Sequence, residues 1–224
     1  MKFDARVIGI PNHLAAAKKH LSKPDFQQET AKFEAAEAKL LAKLPAQKKA
    51  VSDFFRRKFD CISHFQCERF TFLRPLHDFA CFLNGTTVEE VFQENAWTEA
   101  LHIVLLGPND SLIVPFDFPV PINVEVPGRR HPYTVCSAPR ITKELDILDE
   151  YVAIEQTMGI RKFDAFVSIS NADMEKYEKQ EGVGRRFWAK WGVAALRGLT
   201  ERAMKNSLAV IVDPQFSEVP ATAS

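Results

Sequence analysis

The residues best able to do chemistry crowd into one short span. Cys61, His64 and Cys67 recur at intervals of three, and His77 and Cys81 follow, four apart. Thiolate and neutral imidazole are the ligands zinc prefers, and an i, i+4 pair lies on one side of a helix. The five residues therefore define a candidate zinc site. They include no Cys-x2-Cys pair, and their neighbours Phe65, Phe79 and Phe82 suit an apolar core equally well. Free cysteine is among the most buried residue types. The expectation is core packing with no cofactor, and structural zinc is the alternative.

A second constellation could bind anions. Gly182 and Gly184 precede Arg185, Arg186, Trp188 and Trp191. A glycine turn opening a helix presents backbone N–H groups to an anion, and guanidinium groups add bidentate contacts. The tryptophans could stack on a flat ligand. Arg129 and Arg130 form another basic pair, with His131 beside them and Cys136-Ser137 shortly after. Arginines near a nucleophile would suit acyl or phosphoryl chemistry, but no local motif brings His102 or His131 to Cys136. No Lys-Ser/Thr follows the glycines, so a phosphate loop is not indicated. Asp146, Asp149 and Glu150 share one helical side, which a divalent ion could use and a solvated face explains as well.

The composition limits what these groups can serve. At 224 residues with 46% hydrophobic content, the chain is long and apolar enough for one globular domain. Its 29 basic and 29 acidic residues cancel, which argues against broad binding to nucleic acid and leaves copies little mutual repulsion. No apolar run approaches the roughly 20 residues of a membrane span. The opening MKFDARVIGIPNH is too short in apolar residues for a signal peptide. Four cysteines at irregular spacing do not form a disulfide framework. A cytoplasmic or equally reducing location is expected. The 18 phenylalanines carry a large apolar payload, for a core or for a partner.

The elements that must position these groups read as follows. Leu101–Leu106 is a run apolar at every position but His102, Gly107–Asp110 a turn, and Ser111–Phe118 an alternating strand, together a hairpin over about 101–118. Arg6–Ile10 is a short strand, and Asn12 caps a helix to Leu21. Ser22 with Asp25 caps a second helix to about Leu44, with Phe26, Phe33, Leu40, Leu41 and Leu44 on its apolar face. Pro45 breaks it. A third helix, Ala46–Ile62, makes 23–62 a helical hairpin that either covers the sheet or protrudes. Strands are expected at Glu68–Leu73, Tyr133–Cys136, Phe163–Ile169 and Leu208–Val212. Helices are expected after Thr86 and Thr142, after Ser170 and over Gly184–Lys205, while Leu76–Leu83 suits helix or strand.

Phe163–Ser170, FDAFVSIS, resembles the opening strand of Toll/interleukin-receptor domains, and Ser207–Phe216 is similar to a later strand of that fold. The resemblance stops at these two stretches. Its catalytic glutamate has no counterpart here, and it carries no activity over to the chain.

The resulting expectation is a single α+β domain: a mainly antiparallel sheet built around the central hairpin and covered by amphipathic helices. The functional expectation is a non-catalytic interaction or assembly protein with a protein partner or homo-oligomer, using a Phe-rich apolar surface. The alternative is an enzyme or sensor that binds a small anionic ligand through Arg129, Arg130, Arg185 and Arg186.

Overall fold

A computed structural model describes residues 3–67, 73–93, 98, 100–106, 110–128, 132–152 and 184–212, with backbone alone at 66–67, 74, 92–93, 150–152 and 184–188. The architecture is α+β. Among the described residues six strands form one sheet in the order β2-β1-β6-β3-β5-β4: β1 (Phe3–Ile8), β2 (Ser63–Cys67), β3 (Ser111–Val114), β4 (Ile122–Val124), β5 (Tyr133–Ser137) and β6 (Ala209–Val212). The sheet is mixed rather than purely antiparallel. Four pairings are antiparallel, and β3 pairs with β5 in parallel, Leu112 opposite Val135.

Side-chain alternation divides the sheet into two faces. Phe3, Ala5, Val7, Ile113, Cys136 and Val210 enter one core. Ile8, Leu112, Val114, Tyr133, Val135 and Ile211 enter the other. Asp4 and Arg6 share the parity of Ile8, so two charged residues stand on the second face of a central strand.

Helices α1 (Ile10–His20), α2 (Lys23–Lys43) and α3 (Lys48–Arg56) cover the second face. Gly9, not Asn12, is the N-cap of α1, and Pro11 sits in its first turn. A Cβ at Gly9 would lie 2.5 Å from the Arg57 carbonyl oxygen and 2.6 Å from Phe59 N, so the crossing of chain 57–59 requires glycine. Ser22 accepts the Asp25 N–H and caps α2. A 3₁₀ turn, Pro45–Gln47, joins α2 to α3, which stops at Arg56, six residues before the expected Ile62.

The first face is covered by α4 (Leu73–Leu83), α6 (Leu101–Val104), α7 (Ala138–Val152) and α8 (Gly184–Asn206). A short α5 (Val88–Gln93) adjoins α4. Its cap is Thr87, one residue beyond Thr86: Thr87 and Glu90 exchange side-chain-to-backbone hydrogen bonds. α7 begins four residues before Thr142, because the Ser137 hydroxyl accepts the Arg140 N–H.

The central hairpin expected over 101–118 does not form. Leu101–Val104 is a helical turn, and only Ser111–Val114 is strand. A run this apolar requires burial on nearly all sides, and a buried helical turn meets that requirement as well as a strand does. His102, Ile103, Val104 and Leu106 are all buried. The strand expected at Glu68–Leu73 falls mostly outside the described residues, and Leu73 itself opens α4. The elements expected at Phe163–Ile169 and after Ser170 lie wholly outside them, as does most of the stretch resembling Toll/interleukin-receptor domains.

Candidate functional site

Three features could act: two buried polar clusters and one exposed helix face. The first cluster lies under α1 and α2. The stripe of α2 that meets the sheet is Glu29, Lys32, Phe33, Ala36 and Leu40, so it brings two charges inward with its apolar residues. Lys32 is 0% exposed and Glu29 3%. The Lys32 ammonium lies 2.7 Å from Glu29 Oε2 and 3.6 Å from Asp110 Oδ2. It also lies 4.7 Å from the centre of the Tyr133 ring and 5.1 Å from that of Phe33, within cation–π range.

His13 completes this cluster, 2.9 Å from Glu29 Oε1 through Nε2. An ionised carboxylate only accepts, so Nε2 carries the proton and donates it. Burial pushes the His13 pKa down and outweighs the pull of Glu29. Burial also opposes ionisation of Glu29, but the His13 hydrogen bond and the Lys32 charge overcome it and hold its pKa at about 2. On β1 and β2, Asp4 bonds Arg6 Nε at 3.1 Å and His64 Nε2 at 2.9 Å.

The second cluster lies where the parallel strands β3 and β5 end. Glu144 of α7 accepts the backbone N–H groups of His102 (3.0 Å) and Ile103 (2.8 Å), tying α6 to α7. Burial raises the Glu144 pKa to about 8; the two N–H donors and Arg140 pull it back only in part. The Ser137 N–H donates to His102 Nδ1 at 3.1 Å, so the neutral ring carries its proton on Nε2. Burial lowers the His102 pKa to about 4. The Cys136 thiol donates to the His102 carbonyl oxygen, not to its ring, and burial drives its pKa well up. A sealed, protonated thiol bonded to a carbonyl is not an activated nucleophile. On the exposed rim, Arg140 Nε meets Asp117 Oδ1 at 2.6 Å.

The third feature is the outer face of α4. Leu76, His77, Ala80 and Cys81 turn inward. Pro75, Phe79, Phe82 and Leu83 follow i, i+4, i+7, i+8 spacing, one face of a helix, and none of them is fully buried. Phe82 is 75% exposed, the most exposed large apolar side chain among the described residues.

Of the candidate zinc ligands, the structure puts Cys61 and Cys81 on opposite faces of the sheet. Cys61 packs against the core beneath α1–α3, while Cys81 lies in the core on the opposite face of the sheet. His64 is engaged by Asp4. His77 is buried beside Cys81 on α4, and the Cys67 side chain lies outside the described set. Among the described residues no group of three or more His, Cys, Asp or Glu is placed to hold a metal ion. Cys61, Cys81 and Cys136 are free thiols.

Of the anion-site residues, Gly184, Arg185, Arg186 and Trp188 fall in the first turns of α8 as backbone only; Arg129, Arg130, His131 and Gly182 lie outside the described residues. Trp191 is a core residue, tilted against Phe65 at 5.4 Å between ring centres. Asp146 and Asp149 are both taken by Arg197 of α8, at 2.7 and 3.1 Å, which gives that acidic pair a partner other than a divalent ion.

The apolar face expected for α2 contained neither Glu29 nor Lys32. Glu29 stands four residues before Phe33, seven before Ala36 and eleven before Leu40, so its place in the stripe was readable from spacing. Glu144 was not readable in this way, because its partners are backbone groups 41 and 42 residues away. A comparison with protein-family models finds no match, and neither curated proteins nor solved structures give a significant one. No described helix is long and apolar enough to cross a membrane.

Proposed function

We propose that this protein works by association, a second copy of the chain being the partner, through the outer face of α4. The observation that carries the reading is the exposure of Phe82 beside half-buried Phe79 and Leu83. Burying one such side chain returns about 1.5–3 kcal/mol, and a two-fold interface would set the same helix face against itself. The balanced formal charge leaves little repulsion between copies. Glu29 is engaged by Lys32 and His13, Glu144 by two backbone N–H groups and the Cys136 thiol by a backbone carbonyl oxygen, which favours binding over catalysis.

The test is light scattering after size exclusion, together with native mass spectrometry, on the intact chain at micromolar concentration. The expected result is a dimer that Phe82→Glu converts to a monomer with an unchanged far-UV circular dichroism spectrum. A wild-type chain that stays monomeric, or a dimer that survives Phe82→Glu, would overturn the proposal.

A further inference from the structure

A groove of about 580 Å³ opens between α3, the chain after β3 and the end of α8. It shares no residue with the α4 face, so the two readings stand or fall separately. Its floor is apolar. Phe54 and Phe116 meet edge to face at 5.3 Å between ring centres, and Met204 adds a side chain that adapts to irregular shapes. Its polar lining is Asp53, Arg57 and Ser207. Asp53 is already paired with Lys49, one turn back on α3.

Arg57 is different. No described carboxylate forms an ion pair with it. Its guanidinium lies 6.0 Å from the centre of the Phe59 ring, and the chain beneath it is pinned from both sides. The Arg57 N–H bonds the Phe54 carbonyl oxygen at 3.2 Å, Gly9 N–H bonds the Phe59 carbonyl oxygen at 3.0 Å, and Asn12 Oδ1 accepts the Phe59 N–H at 2.9 Å. An exposed cation with no ion-pair partner among the described carboxylates, carried on a pinned backbone at the edge of an apolar concavity, suits an anion with an apolar body.

We infer that this groove binds a small amphipathic carboxylate, its chain on Phe54, Phe116 and Met204 and its carboxylate on Arg57. Guanidinium and carboxylate match as a planar, charge-assisted pair, and the apolar floor supplies the remaining affinity. The volume is within the range of small-molecule sites.

The test titrates the full chain with sodium octanoate and, separately, with octan-1-ol, which has the same apolar body and no charge. The readout is the ¹³C-methyl NMR signal of Met204, assigned by its loss in Met204→Leu. Octanoate is expected to shift that signal in a saturable way and to bind about tenfold more weakly to Arg57→Gln, while octanol binds both forms alike. Arg57→Lys, which keeps the charge and loses the fork, is expected to fall between them. Three results would each overturn the inference: no saturable shift at Met204, shifts confined to other methionines, or equal octanoate affinity in Arg57→Gln.

Discussion

Glu29 and Glu144 are two glutamates in nearly the same degree of burial, 3% and 6% exposed, and they end in opposite states. Glu29 is held ionised, with a pKa of about 2, and Glu144 is held protonated, with a pKa of about 8. The difference lies in what each neighbour brings. Glu29 meets a full positive charge at 2.7 Å and an imidazole N–H at 2.9 Å. Glu144 meets two backbone N–H groups, and the one cationic influence on it among the described residues is Arg140, whose side chain is partly in solvent. Hydrogen bonds alone do not offset the transfer of a whole charge from water, whereas a buried counter-ion does. The α2 contact therefore works as an ion-pair clasp between a helix layer and the sheet. The α6–α7 contact works as a neutral strap.

The sharpest way to break this comparison is to remove the cation. Lys32→Met leaves Glu29 and Asp110 as buried carboxylates with no ammonium between them. Breaking a buried pair from one side costs about 3–5 kcal/mol. Urea unfolding near pH 7 is expected to show a loss of that size. Adding Glu29→Gln to Lys32→Met should recover at least about 1 kcal/mol, because the two sites are coupled. A Lys32→Met variant within about 1 kcal/mol of wild type would mean that water reaches this cluster and that the clasp is not sealed.

The second test uses pH, and the two glutamates give opposite signs. The Glu144 pKa is raised, so the stability it adds is complete below its ordinary value near 4.5 and is lost as pH rises through about 8. The Glu29 pKa is lowered, so its contribution is present above 4.5 and is lost as pH falls through about 2. Each proton is worth at most about 1.4 kcal/mol per pH unit. Glu144→Gln offers one acceptor where the carboxyl offers two, so it should cost about 1 kcal/mol at pH 5. Above pH 8 it should be the more stable protein, since no charge must be buried. Urea titrations of both proteins at pH 5, 7 and 9 are expected to cross. Parallel curves would show that Glu144 is ionised in the fold, and the contrast with Glu29 would collapse. His102, whose pKa is lowered to about 4, adds a loss on the acid side in both proteins and cancels in the difference.

These two clusters also mark how far the sequence could be read. The caps and breaks of α2, set by Ser22, Asp25 and Pro45, were legible because capping and proline chemistry act within a few residues. The strands at Tyr133 and Leu208 were legible as short apolar runs between punctuating residues. The Leu101–Leu106 run was misread as a strand because periodicity cannot separate a fully buried strand from a fully buried helical turn. The fixing contact, Glu144 on the α6 N–H groups, comes from another element. The parallel pairing of β3 with β5 is likewise set by register across the sheet, with β4 intervening in sequence. The Cys/His set left zinc open as an alternative to core packing because spacing along the chain is visible and the side of the sheet is not. Cys61 and Cys81 are only 20 positions apart, yet the sheet passes between them.

The smallest effect is expected at the rim of the second cluster, and it sharpens the comparison because the groups are of the same kind. Arg140 meets Asp117 at 2.6 Å, a spacing as short as that of Lys32 and Glu29, with Lys143 at 3.8 Å from the same carboxylate. Asp117 is 47% exposed, so water and salt screen the pair that burial leaves unscreened at Lys32. Arg140 also stands in the first turn of α7, where a cation is opposed by the helix dipole and Asp117 offsets it. Asp117→Asn should therefore cost no more than about 0.5 kcal/mol in low salt, and less when salt is added. The same urea experiment reads it. A loss approaching that of Lys32→Met would mean that distance, not burial, governs ion-pair strength in this fold, and the account of the two glutamates would have to be rebuilt on that ground.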